Sequence, residues 1–348
     1  MPDRIAPLDS WDALLTGPRT DVVRVGLALP LSGPLAMTAP SALDLAALAA
    51  EEANAVGGVR GRPVELVTLD SGRPPAVVAS DAVALHSAGG FDLLVGFHTS
   101  DVHRALEQAL AGRARYVYTP PHEGGGHRQG VVRIGHSPLQ QHAGALAWLV
   151  REHHARRWVL LGTDYIWPRS VHRAATRVLS GLGATVVGEA LVPFGPTDVG
   201  PLLSLVRRAR ADGVLVSLVG SDLVAFNREF ARAGLDRSVV RLSGALEENG
   251  LYAVGGDATG ELYACMPSFV ASVADVDDGQ LDLQERHARR SGAQAPVVCA
   301  YARGVYDGVR LAVAHVAGEP APWPAPRSPR LARADGLRFR PIPLPSAA

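Results

Sequence analysis

The feature that most constrains this chain is an alternation repeated along most of its length. A short apolar, β-branched run is followed each time by a stretch with apolar residues at helical spacing. Val22 to Leu29 is such a run and stops at Pro30, and Ser41 to Asn54 then carries the helical period. The pair recurs as Val64 to Leu69 with Pro75 to His86, Leu93 to Gly96 with Asp101 to Ala111, and Val131 to Ile134 with Leu139 to His153. It continues as Trp158 to Leu161 with Arg169 to Leu182, Thr185 to Val192 with Val199 to Arg210, and Val214 to Val219 with Leu223 to Ala233. Strands alternating with helices in this way call for doubly wound parallel sheets covered on both faces, an α/β fold.

About eight such units are more than one open sheet usually takes, so the sequence predicts two lobes. A Gly-His-Ser-Pro loop near Arg133 to Ser137 marks one crossing, and Met266-Pro267-Ser268 marks another. Ala295 to Val316 reads as a long helix that returns to the first lobe. The expected partition is a polar leader over 1–21, a first lobe of 22–134 plus 268–317, a second lobe of 135–267, and a Pro-rich tail over 318–348. The Pro cluster after Gly318 predicts an extended or disordered tail with one short strand at Leu337 to Phe339.

Composition removes several classes of chemistry. All 34 basic residues are Arg, which excludes Schiff-base chemistry, pyridoxal phosphate attachment and the P-loop Lys. The 34 acidic residues balance them, so no net field favours phosphate backbones or anionic membranes, and direct nucleic-acid contact is not expected. Cys265 and Cys299 stand far apart and form neither a disulfide scaffold nor a four-ligand zinc site. No apolar run approaches the roughly 18 residues of a membrane span, and the amino-terminal residues lack an export h-region. The expected compartment is the cytoplasm.

In a parallel sheet the loops after the strands form the natural crevice, because helix amino termini there aim N–H groups at a ligand. Those loops are Leu31 to Pro34, Phe97-His98-Thr99-Ser100, Tyr118 to Gly124, Gly162 to Arg169, Gly220-Ser221-Asp222 and Ser243-Gly244-Ala245. Ser100 with Asp101 fits an ordinary helix N-cap, or a hydroxyl turned toward a ligand oxygen. Tyr165 and Trp167 fit packing between lobes, or a wall around a small guest. Asp164 and Asp222 fit caps and turns.

Ten of the twelve histidines fall between His86 and His172, yet no H-E-x-x-H or compact Cys/His cluster occurs, so no metal or cofactor is expected. Gly124-Gly125-Gly126 and Gly181-Leu182-Gly183 do not complete a dinucleotide fingerprint, and no G-x-S-x-G is present. Catalysis has little support in these motifs.

Pro30-Leu31-Ser32-Gly33, Ala39 to Asp44, and Glu51 to Leu66 with its Asn54-Ala55-Val56-Gly57-Gly58-Val59 centre resemble the first lobe of type I periplasmic-binding-protein-like receptors. Gly96 to Ser100, Pro121 to Gly124 and especially Gly162 to Arg169 resemble the branch of that family that takes short-chain amides and urea. The branch includes the amide sensor of amidase operons and urea receptors of ABC importers. The similarity spans roughly 22 to 316. It implies two lobes joined by a three-stranded hinge that close on a small neutral guest.

Motif by motif, the resemblance places ligand contacts at Ser100, Tyr118, Tyr165, Val219 and Gly220, with Thr99 in the same turn and Trp167 as a second aromatic. His98 stands where the sensor has an aromatic residue and His122 replaces a Tyr. Both make the pocket more polar. The resemblance implies a cytoplasmic sensor that is not an enzyme. It binds an amide, urea or nitrile-related compound and acts through a partner such as an antiterminator or another regulatory protein, in a homo-oligomer. Two alternatives stand beside it: a solute receptor of an importer for urea, amides or branched-chain amino acids, and a metal-assisted amidohydrolase. An amino acid guest requires a compensating acid, for which Glu123, Asp164 and Asp222 are the candidates.

Overall fold

The computed structural model describes residues 4–195, 198–270, 279–319 and 328–344. The chain divides into two compact units, Met1–Pro120 with Gly125–Gly135 and Leu281–Pro326, and Pro121–Gly124 with His136–Gln280 and Arg327–Ala348.

In the first unit, α1 (Ser10–Thr16), β1 (Val23–Leu29), α2 (Ala39–Ala55), β2 (Val64–Asp70), α3 (Pro75–Ser87), β3 (Leu93–Gly96), α4 (Ser100–Ala109), β4 (Arg115–Tyr118) and β5 (Val131–Arg133) follow one another. The strands form one sheet in the order β2-β1-β3-β4-β5, every pair parallel. All seven residues of β1 are buried, because helices cover both faces. Leu27 and Leu29 belong to the core beneath α2, whereas Ala28 and Leu94 belong to the opposite core with Val78 and Leu106. α11 (Ala300–Ala317) joins the α2 face through Val305 and Val309.

The second unit contains α5 (Pro138–Glu152), β6 (Arg157–Thr163), α6 (Ile166–Gly181), β7 (Thr185–Val192), α7 (Gly200–Ala209), β8 (Gly213–Ser217), α8 (Gly220–Arg232), β9 (Val240–Ser243), α9 (Glu248–Val254) and β10 (Leu262–Met266). α10 (Gln280–Ser291) begins where the chain passes to the first unit, and β11 (Arg330–Asp335) and β12 (Arg338–Ile342) complete the second sheet. Its order is β12-β11-β10-β9-β8-β6-β7, parallel from β10 to β7 and antiparallel at β11 and β12.

Three expectations change. Residues 4–21 are not a leader set apart from the first lobe but belong to it. Leu8 bridges Val67, Asp9 caps α1, and the buried Arg24 guanidinium donates to Gly17 O at 2.7 Å and Thr16 Oγ1 at 2.7 Å. A guanidinium inside the sheet needs such partners, and the leader supplies them. The segment after 328 is not extended or disordered with a single strand at Leu337 to Phe339. It is a hairpin, with Gly336 at φ +60° opening its two-residue turn and with Leu331, Ala332 and Phe339 buried. The chain passes from the second unit to the first after Gln280, not at Met266-Pro267-Ser268. The expectation for the Pro cluster falls on 320–327, outside the described residues.

Candidate functional site

Strand order places a topological switch point in each unit. In the first sheet β1 connects outward to β2 and β3 lies on its other side, so the loops after β1 and β3 diverge at their carboxyl ends. The second sheet repeats this with β6 and β8. The loops at the two switch points carry His98, Thr99 and Ser100 in the first unit and Tyr165, Trp167, Val219 and Gly220 in the second.

In the first unit the loop after β3 runs straight into α4. Thr99, not Ser100, is the N-cap residue, so Ser100 is the first residue of the helix. Its Oγ is fully buried and has no protein hydrogen-bond partner. The first-turn N–H groups of α4 have no intrahelical acceptors, so hydroxyl and amides together favour a ligand oxygen. Facing loops are packed tightly: Ser32 Oγ donates to Asp70 Oδ2 at 2.7 Å, and a Cβ on Gly72 would lie 2.0 Å from Ser32 O.

A buried chain of hydrogen bonds fixes that loop from behind. His98 Nδ1 lies 3.0 Å from Thr99 O, which only accepts, so Nδ1 carries the proton. Nε2 then accepts from Tyr116 Oη at 2.8 Å, and Tyr116 Oη in turn accepts from His103 Nδ1 at 3.1 Å. Burial pushes the pKa of His98 down to about 4, against the pull of the Thr99 carbonyl, and keeps the ring neutral. Tyr118 stacks on His103 at 4.0 Å and donates its hydroxyl to His98 O at 3.0 Å. His98 and Tyr118 thus have structural partners that hold Ser100 in place. His122 belongs to the second unit, where its N–H donates to His136 O at 3.0 Å and its Nδ1 accepts from Gly124 N.

In the second unit Tyr165 is the N-cap residue of α6 and stacks on Phe194 at 5.3 Å, with Trp167 at 6.5 Å. Phe194 is 38% exposed and completes an aromatic panel that the sequence reading did not include. Trp167 is buried and its Nε1–H lacks a partner. Asp164 pairs with Arg169, and Asp222 accepts from Gly195 N at 3.0 Å, so both acids have local work. Burial raises the Asp222 carboxyl above the usual range even against that hydrogen bond. Val219 is the N-cap residue of α8, and Gly220 takes φ +55°, where a side chain is strained.

Sequence reasoning also missed His142, Ser217 and Glu248. The first two are buried with an unpartnered polar atom each, His142 Nε2 and Ser217 Oγ. Glu248 Oε1 accepts from Val270 N at 2.6 Å while Oε2 has no partner. Burial, with the charge of Glu247 beside it, pushes the Glu248 carboxyl up to about 8. No sequence signal marks these residues, because each lies on an ordinary amphipathic helix or strand end.

Among the described residues no group of three or more His, Cys, Asp or Glu side chains is gathered to hold a metal ion, and no helix is long and apolar enough to cross a membrane. A cavity of 640 Å³ in the first unit is lined by Leu93, Arg115, Tyr116, Val131, Leu311 and His315. It lies at the amino-terminal ends of β3 and β4, away from the switch-point loops.

Solved structures share this fold. An ABC transporter substrate-binding protein from Sphaerobacter thermophilus matches at 22% identity over 92% of this chain and 98% of its own, with a TM-score of 0.72. A solute-binding protein of an R. palustris ABC transporter, in complex with benzoate, matches at 16% identity over 93% and 96%, with a TM-score of 0.75. The branched-chain amino acid transporter substrate-binding protein of Streptococcus pneumoniae, in complex with isoleucine, matches at 16% over 86% and 85%, with a TM-score of 0.74. A family model described as periplasmic binding protein matches residues 22–321. Two parallel α/β units, each with its switch point, and a match across most of the sequence lead to one conclusion: this chain belongs to the periplasmic binding protein family of ligand-binding receptors.

Proposed function

We propose that this chain captures a small uncharged solute, as the binding component of an importer, and that the solute is an amide, urea or nitrile-related compound. The observation that carries this reading is Ser100 Oγ, fully buried and unpartnered on the first turn of α4. A buried hydroxyl without a partner is costly in the empty protein and gains a hydrogen bond when a guest oxygen arrives. Tyr165, Phe194 and Trp167 supply flat apolar faces suited to a small planar frame. The importer role is supported by the solved relatives named above, which are transporter components. The segment Gly162 to Arg169 supports the amide and urea class through its resemblance to that branch.

A thermal-shift screen tests the proposal, because a guest that prefers the native state raises the melting temperature by mass action. Acetamide, propionamide, urea and acetonitrile are set against isoleucine and benzoate. Stabilisation by the neutral compounds alone is the expected result. Stabilisation by isoleucine or benzoate alone overturns the guest class. A cytoplasmic sensor acting through an antiterminator shares the same guest, so cell fractionation separates importer from regulator: recovery from the envelope fraction supports the importer role.

A further inference from the structure

Resting on the proposed capture of a neutral guest, we propose that His142, Trp167 and Ser217 form a polar subsite in the second unit that admits uncharged molecules with a donor and an acceptor on adjacent groups, such as a primary carboxamide or urea, and rejects the corresponding ions.

The placement follows from strand register. Ser217 of β8 pairs with Gly162 of β6, and paired residues of parallel strands face the same side. A Cβ on Gly162 would lie 2.9 Å from Pro168 Cβ and 3.1 Å from His172 Nε2, so this side faces α6. On the next strand Val216 pairs with Ser243, which puts Gly244 level with Ser217. A Cβ on Gly244 would lie 2.4 Å from His142 Nε2. The two glycines therefore make room for two imidazoles, and Ser217 lies on the strand between those glycines. Trp167, on the first turn of α6, brings its ring centroid to 6.4 Å from that of His142.

The chemistry of the orphaned atoms is complementary. His142 Nδ1 lies 3.0 Å from Pro138 O, a carbonyl that only accepts, so Nδ1 holds the proton and Nε2 presents a bare lone pair. Burial pushes the pKa of His142 down to about 4, opposed by the Pro138 carbonyl, so the lone pair persists at neutral pH. Trp167 Nε1 only donates. The two make no direct hydrogen bond in this structure, and both atoms are buried without partners. An amide answers both, giving its N–H to His142 and taking the Trp167 N–H on its oxygen. A carboxylate turns an oxygen lone pair toward the His142 lone pair. An ammonium turns an N–H toward the Trp167 N–H. Ser217, donor and acceptor at once, accepts either arrangement and adds no discrimination.

The experiment uses the full chain, ¹⁵N-labelled, with propionamide, urea, propionate and propylammonium as probes. Affinity is read by calorimetry, and the Trp167 indole and His142 imidazole signals are followed by NMR. The expected result is that propionamide or urea binds and moves both signals, that propionate and propylammonium bind at least ten-fold more weakly, and that Trp167→Phe weakens the neutral probe at least ten-fold. Trp167→Phe keeps an aromatic ring and removes only the N–H, so it remains informative where His142→Phe fails to fold. Binding of propionamide with neither signal moving, or with unchanged affinity in Trp167→Phe, overturns the subsite and leaves the capture reading intact; these atoms then serve a fixed water. Equal binding of the ions overturns the discrimination. No binding of either neutral probe defeats the capture reading and this inference with it.

Discussion

Ser100 concentrates the argument at the scale of single residues. Its hydroxyl is buried without a protein partner, an arrangement that costs about 1–3 kcal/mol for a typical hydroxyl. The turn that carries it is braced by hydrogen bonds: Thr99 O receives His98 Nδ1–H, Tyr116 links His98 to His103, and Tyr118 reaches back to His98 O. The protein thus spends several buried hydrogen bonds on holding a turn whose own hydroxyl has none. Ser100→Ala therefore keeps or slightly raises the melting temperature of the empty protein, since no protein hydrogen bond is lost. The same variant weakens a neutral guest by about ten-fold, the worth of one hydrogen bond of about 1.4 kcal/mol. Thermal unfolding and calorimetry read the two effects separately. A fall of several degrees in the empty variant, or unchanged affinity, removes Ser100 from the site. The sequence showed Ser100 as a strand-end residue but not its role, because the cap position one residue earlier belongs to Thr99. Nor did it show that His98 and His103 meet at Tyr116, since that contact exists only once β4 lies beside β3.

Elements were legible where their burial is periodic and illegible where a single turn decides. The strand–helix pairs are plainest where a strand is covered on both faces, as β1, β6 and β8 are, because such coverage writes a continuous apolar run into the sequence. The second sheet also contains β11 and β12, whose burial follows no regular period and which pair antiparallel. Asp335-Gly336 marks their turn in the sequence, but the Pro cluster before it argues against regular structure in the tail. This hairpin covers the β10 edge and packs Phe339 on Phe269 at 5.0 Å. Ending the chain after residue 327 withdraws the buried Leu331, Ala332, Ala334 and Phe339 and leaves β10 as an open edge. The expected loss is about 4–6 kcal/mol from the second unit, on the burial values of one Leu, one Phe and two Ala, together with aggregation at moderate concentration. Urea unfolding of the truncated chain checks this, and an unchanged midpoint rules out the hairpin as part of the second unit's core.

At the scale of the whole molecule the two units carry different buried titratable groups, and their stabilities therefore answer pH differently. In the first unit burial holds His98 at about 4, against an ordinary value of 6.5. Its unfolded form takes up a proton below pH 6.5 that the folded form refuses until about pH 4. Stability from this group is therefore complete above 6.5 and falls by about 1.4 kcal/mol per pH unit on acidification. In the second unit His142 does the same, while Glu248, held near 8 by burial and by Glu247, does the reverse. Folded Glu248 keeps a proton that the unfolded chain releases above 4.5, so its contribution is complete below 4.5 and is lost as pH rises to 8. Between 4.5 and 6.5 the His142 and Glu248 slopes oppose each other in the second unit, with His172, lowered by burial, on the side of His142 and Asp222, raised by burial, on the side of Glu248. From 6.5 to 8 Glu248 acts alone, and stability falls by about 1.4 kcal/mol per unit. Unfolding followed from pH 4.5 to 8.5, with Trp158 and Trp167 reporting on the second unit and hydrogen exchange in β1 and β3 on the first, separates the profiles. The first unit rises to pH 6.5 and levels off, while the second changes less steeply below 6.5, where its groups oppose one another, and declines above it. Glu248→Gln removes that decline and leaves the first unit's profile untouched. A second unit that gains stability between 6.5 and 8 shows instead that Glu248 is ionised in the folded protein.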